Sequence, residues 1–275
     1  MSGRIGAGVS RRSARWGAVR STAVAVLGVT ALAGCGSGSS TTAKGKPASN
    51  ATVTPPKTIR PASASSYNPK IDPKNFTIKI DNPYFSLTPG MVRIAQGVKD
   101  GVPQTHTTTV TRATKMIVGV RTRVIRDIVT TTGGQLVEKV SDWYARDRNG
   151  NVWYFGESTA DYDKGVVVST KGSWETGIDG AKPGIVMPAH PKPGPAFYSE
   201  FRPGIAEDRA RVLRVGDTIK TGLGTFRHVV VIRDSNPLDP GLVSNKWYAR
   251  GTGLVRTTRV GSSHQESSDL VSFKR

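Results

Sequence analysis

Two short sequences, each present twice and in the same order, constrain the fold of this chain more than any other feature. Val-Ile-Arg-Asp occurs at residues 124–127 and 231–234, and Trp-Tyr-Ala-Arg follows it at 143–146 and 247–250. The gaps of 15 and 12 residues contain turn-forming residues, whereas β-branched and aromatic residues dominate the repeated sequences. The pattern predicts a duplicated strand-turn-strand unit, in which residues 120–157 and 226–260 superpose and Trp143 and Trp247 occupy equivalent positions.

The rest of the chain after residue 76 has the same β-type pattern. Segments rich in β-branched and aromatic residues alternate with Gly, Asn and Asp, and no long segment has the apolar spacing of a helix. Strands are predicted at 91–98, 105–118, 120–131, 136–146, 209–215, 226–234, 244–250 and 254–260. The predicted fold class is mainly β: a single antiparallel, curved sheet or a partial barrel or sandwich, built from the two related strand-turn-strand units, with a long irregular insertion.

Three local expectations concern the segment 209–234. Gly216 and Asp217 are predicted to form a turn that separates two strands. His228 is predicted to be a hydrogen-bonded core histidine, because strict alternation places it on the same strand face as Val230 and Ile232. The apolar residues on both faces of the segment 226–233 predict a central strand that is covered on both sides.

The N-terminus has the organisation of an export signal. The first 34 residues contain five arginines and no acidic residue, and an apolar run from 23 to 33 ends at Leu32-Ala33-Gly34-Cys35. The apolar run is too short for a permanent membrane span. Leu-Ala-Gly-Cys resembles the lipobox of bacterial lipoproteins, which implies that Cys35 is acylated, for example with palmitate, and becomes the mature N-terminus.

Differences in composition along the chain predict three segments. Residues 1–34 are predicted as a lipoprotein signal peptide, 35–75 as the lipidated Cys35 with a disordered tether, and 76–275 as a β-rich extracytoplasmic domain. The tether is assigned because Gly, Ser, Thr, Pro, Ala and Lys dominate it, and these residues bury too little apolar surface to offset the entropy of ordering. The domain is expected on the outer face of the cytoplasmic membrane, or on the periplasmic side of an envelope membrane.

The net charge restricts the class of partner. The formal charge of +19 falls to +14 when the five arginines of the signal peptide are removed. Outside the membrane such a chain is attracted to anionic lipid headgroups or acidic wall polymers, and nucleic acid is not expected there. The alternative is a basic surface that only maintains solubility.

Several motifs resemble an uncharacterised family of exported bacterial β-rich lipoproteins. The resemblance covers most of residues 76–258 and implies a β-rich exported domain, without an assigned activity. Arg146 departs from it, because relatives have a neutral polar residue there. The motifs are Asn82-Pro83-Tyr84-Phe85, Asp142-Trp143-Tyr144-Ala145, Gly150-Asn151-Val152-Trp153-Tyr154-Phe155-Gly156-Glu157, and Trp247-Tyr248-Ala249 with Gly251 and Gly253-Leu254-Val255.

The segment 171–208 interrupts the β pattern with Gly, Pro and isolated aromatic residues. Long irregular segments are often binding loops or lids, although this one could equally cover one end or edge of the sheet. It combines aromatic and acidic side chains with unusual backbone, so a ligand site is predicted where it meets the sheet. The predicted ligand-binding residues are Trp153, Trp174, Tyr198 and Glu200.

No catalytic constellation can be recognised in the sequence. The four histidines lack metal-ligand spacing, and neither a nucleophile elbow nor a phosphate-binding glycine loop is present, so no catalytic residue, metal or cofactor is predicted. Carboxylates around the irregular segment leave a carboxylate-dependent hydrolase acting on wall polymers as one alternative. The preferred prediction is a non-enzymatic binding or carrier lipoprotein, and a structural or assembly protein of the envelope is the second.

Overall fold

The structure is a computed structural model that describes residues 66–261 and 266–275. Cys35, the predicted signal peptide and most of the predicted tether lie outside the described residues. The described part is built from strands and contains a short 3-10 helix at Pro73–Asn75. The strands are β1 (Phe76–Thr77), β2 (Ile80–Asn82), β3 (Phe85–Leu87), β4 (Val92–Lys99), β5 (Val102–Ile117), β6 (Val120–Thr131), β7 (Leu136–Asp147), β8 (Val152–Asp163), β9 (Val166–Ser169), β10 (Trp174–Glu175), β11 (Lys182–Met187), β12 (Phe197–Tyr198), β13 (Glu200–Phe201), β14 (Arg209–Thr221), β15 (Gly224–Asn236), β16 (Asp239–Ala249), β17 (Gly253–Val260) and β18 (Ser267–Lys274).

Two antiparallel meanders form the large sheet. The first runs through β4, β5, β6, β7 and β8, and the second runs through β14, β15, β16, β17 and β18. Pairing of β18 with β4 joins the two meanders into one continuous sheet. The sheet is antiparallel and curves until it is nearly closed into a barrel, which confirms the predicted fold class.

The duplicated sequences occupy equivalent positions in the strand register. Val124 is paired with Trp143 between β6 and β7, and Val231 is paired with Trp247 between β15 and β16. A register shift follows each tryptophan, between Trp143 and Tyr144 in one unit and between Trp247 and Tyr248 in the other. The predicted equivalence of the two tryptophans is therefore confirmed, down to the position of a β-bulge.

The irregular segment connects the two open edges of the sheet. Its strand β11 extends the first meander at β8, and β13 pairs with β11. Strand β12, which a single residue separates from β13, pairs with β14 at the edge of the second meander. The insertion therefore covers the sheet edges, which is one of the two alternatives that its composition left open.

The small β2–β3 hairpin contacts both repeated units. The side-chain amide of Asn82 donates to the carbonyl of Gly150, which follows the first Trp-Tyr-Ala-Arg, at 3.1 Å. The carbonyl of Pro83 accepts from the amide of Gly251, which follows the second copy, at 2.7 Å. Ile80 and Leu87 of this hairpin belong to the main hydrophobic core. The hairpin thus stabilises the relative positions of the two units.

The two faces of β7 and β8 lie in different environments because side chains alternate along a strand. Tyr144 contacts the main core, whereas Trp143 and Phe155 belong to a separate buried cluster on the other face of the sheet. Ile71 and Phe76, from the N-terminal part of the described chain, pack against that cluster. Ile71 therefore already packs against the domain, although it lies within the segment assigned to the tether.

Two of the three local expectations for the segment 209–234 are wrong. Gly216 and Asp217 do not end a strand, because β14 continues through them with a bulge and Gly216 has a φ of +93°. His228 is exposed and has a φ of +54°, so the local bulge turns it away from the core face that strict alternation predicts. The covered central strand is confirmed, since Val229 to Ile232 are each at most 1% exposed.

Within the described residues, no helix is long and apolar enough to span a membrane.

Candidate functional site

A cavity of about 140 Å³ lies inside the curved sheet. Both repeated units, the β2–β3 hairpin and the irregular segment contribute to its wall. The lining combines aromatic, aliphatic and ionisable side chains. The aromatic members are Phe85, Tyr144, Tyr154 and Tyr248, and the ionisable ones besides the tyrosines are Arg93, His106, Asp127, Asp142, Glu200, Asp234, Lys246 and Arg256.

Aromatic rings form a continuous row along the cavity. Phe85 lies between the equivalent tyrosines of the two units, with ring centroids 5.4 Å from Tyr144 and 6.1 Å from Tyr248. Tyr144 stacks on Tyr154 at 4.6 Å with an angle of 14° between the rings. Trp174, which does not line the cavity, meets Tyr154 edge-on at 5.4 Å. The row extends from the second unit, through the hairpin and the first unit, to the irregular segment.

Three cavity carboxylates accept hydrogen bonds from neutral donors. The hydroxyl of Thr108 donates to Asp127 at 2.7 Å, and the hydroxyl of Tyr154 donates to Asp142. The indole Nε1 of Trp174 donates to Oε2 of Glu200 at 3.1 Å. Hydrogen bonds to a carboxylate favour its charged form, so these contacts stabilise negative charge at the cavity wall.

The cavity cations have specific partners. Lys246 forms a buried ion pair with Asp234. Burial opposes the charge of this ammonium, but Asp234, Tyr248 and Glu200 together outweigh burial and raise the pKa of Lys246 above its usual value. Arg93 donates to the carbonyl of Ser86 at 2.7 Å and to that of Thr252 at 3.0 Å. Arg93 therefore connects the hairpin to the second unit.

Burial shifts the pKa of several titratable groups in the cavity in the direction that favours the neutral form. It raises the pKa of Tyr248 to about 12, with Asp234 acting in the same direction and Lys246 opposing it. Burial also raises the pKa of Tyr144 well above its usual value. Burial, together with the charge of Lys99, lowers the pKa of His106 to about 3. Neutral tyrosines and a neutral histidine therefore face the cavity.

Acidic residues also face each other across β7 and β8. Asp142 is paired in register with Glu157, and Glu138 is paired with Asp161. All four side chains are buried, and Glu157 is only 1% exposed. Like charges directly opposite each other on neighbouring strands are destabilising.

Of the four sequence-predicted site residues, Glu200 lines the cavity. Trp174 lies outside the lining and donates to Glu200, as described above. Tyr198 is 8% exposed, accepts a hydrogen bond from Arg209 at 2.8 Å and packs edge-on against Phe201. Trp153 lies on the opposite face of the sheet from Tyr154, where its indole donates to Asp147 at 2.8 Å. Trp153 is therefore not part of the cavity wall.

Sequence reasoning missed most of the cavity residues. Asp127 and Asp234 end the two copies of Val-Ile-Arg-Asp, and Tyr144 and Tyr248 are the second residues of Trp-Tyr-Ala-Arg. The duplication itself was the signal that could have found them. Each unit contributes the same aspartate and the same tyrosine to the cavity.

The described residues contain no group of three or more His, Cys, Asp or Glu side chains that could hold a metal ion.

No family model matches the chain, and no curated protein matches it. Two solved structures are similar to it, each at 15% sequence identity over 70% of this chain and 99% of the other chain. One is a "putative lipoprotein" from Parabacteroides distasonis ATCC 8503, with a TM-score of 0.38. The other is a "putative exported protein with YmcC-like fold" from Bacteroides fragilis NCTC 9343, with a TM-score of 0.41. Overlap at this level says nothing about the ligand or activity of this chain.

Proposed function

We propose that this protein is an extracytoplasmic, lipid-anchored binding protein that holds a small ligand inside its curved sheet. The observation that carries the proposal is the cavity of about 140 Å³ between the repeated units. Ligand sites are commonly concave, largely apolar and equipped with a few oriented polar groups. The aromatic row supplies the apolar wall, and carboxylates with fixed hydrogen-bond donors supply the polar groups.

The cavity volume sets the size of the ligand. A dry cavity of about 150 Å³ is sufficient for benzene, whereas drug-sized ligands need several hundred cubic ångströms. A ligand of roughly ten non-hydrogen atoms or fewer therefore fits without rearrangement of the sheet. A polymer chain does not fit, so binding of a small molecule is favoured over hydrolysis of a wall polymer.

The proposal is tested by filling the cavity. Ala95 lines it, and Ala95→Leu places a larger side chain in the same space. Ala113, on the next strand, is exposed, so Ala113→Leu is the matched control. Ligand-observed NMR on the full mature protein, with a set of neutral, anionic and cationic compounds of this size, should detect binders that Ala95→Leu loses and Ala113→Leu keeps. Absence of binders, or binding insensitive to Ala95→Leu, would refute the proposal.

The location follows from the N-terminal sequence. The arginine-rich segment, the short apolar run and Leu-Ala-Gly-Cys support export followed by acylation of Cys35. We also propose that the basic surface contacts anionic lipid or acidic wall polymer near the anchor. Co-sedimentation of unlipidated protein with anionic vesicles, weakened by salt and absent with neutral vesicles, would support a lipid partner. Binding that is equal for both vesicle types would contradict it.

A further inference from the structure

The β5–β6 hairpin carries positive charge without acidic residues. Residues 101–126 contain five Lys or Arg residues and no Asp or Glu. The distal part of the hairpin, the β5–β6 tip at residues 112–121, extends beyond its neighbours, because neither β4 nor β7 pairs with these residues. Arg112 and Arg121 are exposed in the tip. The tip is therefore a basic surface at one end of the sheet.

The same tip exposes apolar side chains. Met116, Val118 and, on the irregular segment, Ile178 are each 47 to 58% exposed. Ile178 is next to Gly177, where a Cβ would lie 2.6 Å from Cγ1 of Val118. Met116 is opposite Arg121 in the strand register. Apolar and basic side chains therefore lie side by side on one surface.

Val118 has a backbone conformation that its residue type disfavours. Its φ is +41° and that of Gly119 is +81°, both positive as in a type I′ hairpin turn, for which Asn-Gly is a favoured pair. A β-branched residue with a positive φ is uncommon. Neither the turn nor burial favours valine at this exposed position. Contact with an apolar partner would favour it.

The chain that leads to Cys35 joins the domain beside the tip. Ile71 packs against the cluster that contains Ile117 of the tip. A Cβ on Gly119 would lie 3.0 Å from the side chain of Pro73. An acyl anchor at Cys35 is therefore connected to the domain at the same end of the sheet as the tip.

Acidic side chains near the tip are offset by cations. Glu175 pairs with Lys115 at 2.6 Å, and Asp179 pairs with Arg202 at 2.7 Å. Asp72 lies between exposed lysines at positions 70 and 74. The exposed arginines of the tip therefore make this surface attractive to anions.

We infer that the β5–β6 tip is the surface by which the domain docks on an anionic lipid bilayer, with Met116 and Val118 among the headgroups and Arg112 and Arg121 near lipid phosphates. This inference rests on the lipid anchor of the proposed function and is independent of the cavity. Binding at a membrane interface strengthens with buried apolar area and with attraction of Lys and Arg to anionic lipids. An acidic wall polymer would attract the arginines but would not bury the apolar side chains.

Vesicle binding tests the charge of the tip. The full mature chain with Cys35→Ser lacks the acyl anchor, so it reports on the surface of the domain. It should co-sediment with phosphatidylcholine vesicles that contain about 30% phosphatidylglycerol, and much less with pure phosphatidylcholine. Arg112→Gln with Arg121→Gln should weaken binding about tenfold. Lys164→Gln with Lys171→Gln, around the β8–β9 hairpin at the other end of the sheet, is the matched control and should weaken binding less than about threefold.

The apolar side chains are tested without a change in charge. Met116→Ser with Val118→Asn should weaken binding to the anionic vesicles at least about fivefold. Val166→Ser with Val168→Asn is the matched control, because these valines are more exposed than Met116 and lie on the β8–β9 hairpin. The control should leave the affinity unchanged. Val118→Asn alone suits the positive φ, so it should not lower the melting temperature.

Insertion has a separate readout. Cys35 is the only cysteine in the chain, so with Cys35→Ser in place, Met116→Cys or Val166→Cys can carry a single NBD fluorophore. On anionic vesicles, the emission should shift to the blue for the label at 116 and stay unchanged for the label at 166.

The outcomes separate this inference from the cavity proposal. Equal effects of the tip and control variants, or an unchanged NBD emission at 116, would overturn docking through the tip. Binding to poly(glycerol phosphate) but not to anionic vesicles would assign the tip to a wall polymer and overturn the lipid inference. In each case, ligand binding that Ala95→Leu abolishes would leave the cavity proposal intact.

Discussion

Replacement of Trp174 by alanine distinguishes a core residue from an adaptable binding residue. Trp174 is 3% exposed, packs with Tyr154, Ala181 and Ala206, and donates its indole hydrogen to Glu200. A side chain with these contacts belongs to the buried cluster that the irregular segment 171–208 forms with Tyr154 of β8. The structure therefore predicts that Trp174→Ala reduces stability strongly, rather than affecting binding alone.

The magnitude follows from two contributions. Truncation of a buried tryptophan to alanine costs about 3 to 5 kcal/mol. Loss of the donor to the buried carboxylate of Glu200 adds about 1 to 3 kcal/mol. Because neighbours relax and the contributions are not additive, the free energy of unfolding should fall by about 4 to 6 kcal/mol. For a domain of this size, the melting temperature would fall by roughly 8 to 20 °C.

Urea denaturation followed by far-ultraviolet circular dichroism measures this effect without relying on the removed fluorophore. Trp174→Phe keeps a ring beside Tyr154 but removes the donor, so it should lose about 2 kcal/mol. Val167→Ala, at a side chain that is 47% exposed, is the surface control and should change stability by less than about 0.5 kcal/mol. A loss below about 1.5 kcal/mol for Trp174→Ala would refute the assignment of Trp174 to the core.

Three further predictions concern the anchor, the pH response and the sheet seam. Cys35→Ser should abolish incorporation of labelled palmitate and leave the protein unprocessed or released. Wild-type protein that incorporates no labelled palmitate would contradict the lipobox assignment. Because burial and Lys99 lower the pKa of His106 to about 3, the unfolded chain binds a proton below its ordinary pKa of 6.5 while the folded chain does not. Stability should therefore fall by about 3 to 5 kcal/mol from pH 6.5 to pH 3, and His106→Gln should flatten that part of a urea-denaturation profile. A Cβ on Gly97 would lie 2.1 Å from the carbonyl oxygen of Ser267 at the β4–β18 seam, whereas one on Gly222 meets nothing within 4 Å. Gly97→Ala should lower stability by about 2 kcal/mol or more and Gly222→Ala by much less, and equal melting temperatures would contradict the close approach of β18 to β4.

The sequence by itself determined the strand content, the duplication and several turns. These features are local: β-branched and aromatic residues favour extended backbone, and residues such as Asn149-Gly150 favour a tight turn. The duplication also predicted which strands are equivalent, because the same residues at the same spacing form the same pairing. Both tryptophans occupy equivalent positions, each followed by a bulge.

Bulges limited the prediction of side-chain direction. One extra residue in a strand reverses which side chains face the core, and a single sequence does not mark where that residue is inserted. His228 was assigned to the core by strict alternation, but its positive φ exposes it. Trp153 was grouped with Trp174 although it lies on the opposite face from Tyr154, which alternation alone already indicated.

Only the tertiary structure decided how the sheet closes and what its interior contains. The pairing of β18 with β4, and the attachment of the irregular segment to both sheet edges, join residues far apart in the chain. Those long-range pairings bring Asp142, Glu200 and Lys246 to one cavity. Local propensity and composition do not specify such distances, because strand pairing and burial depend on the packing of the whole sheet.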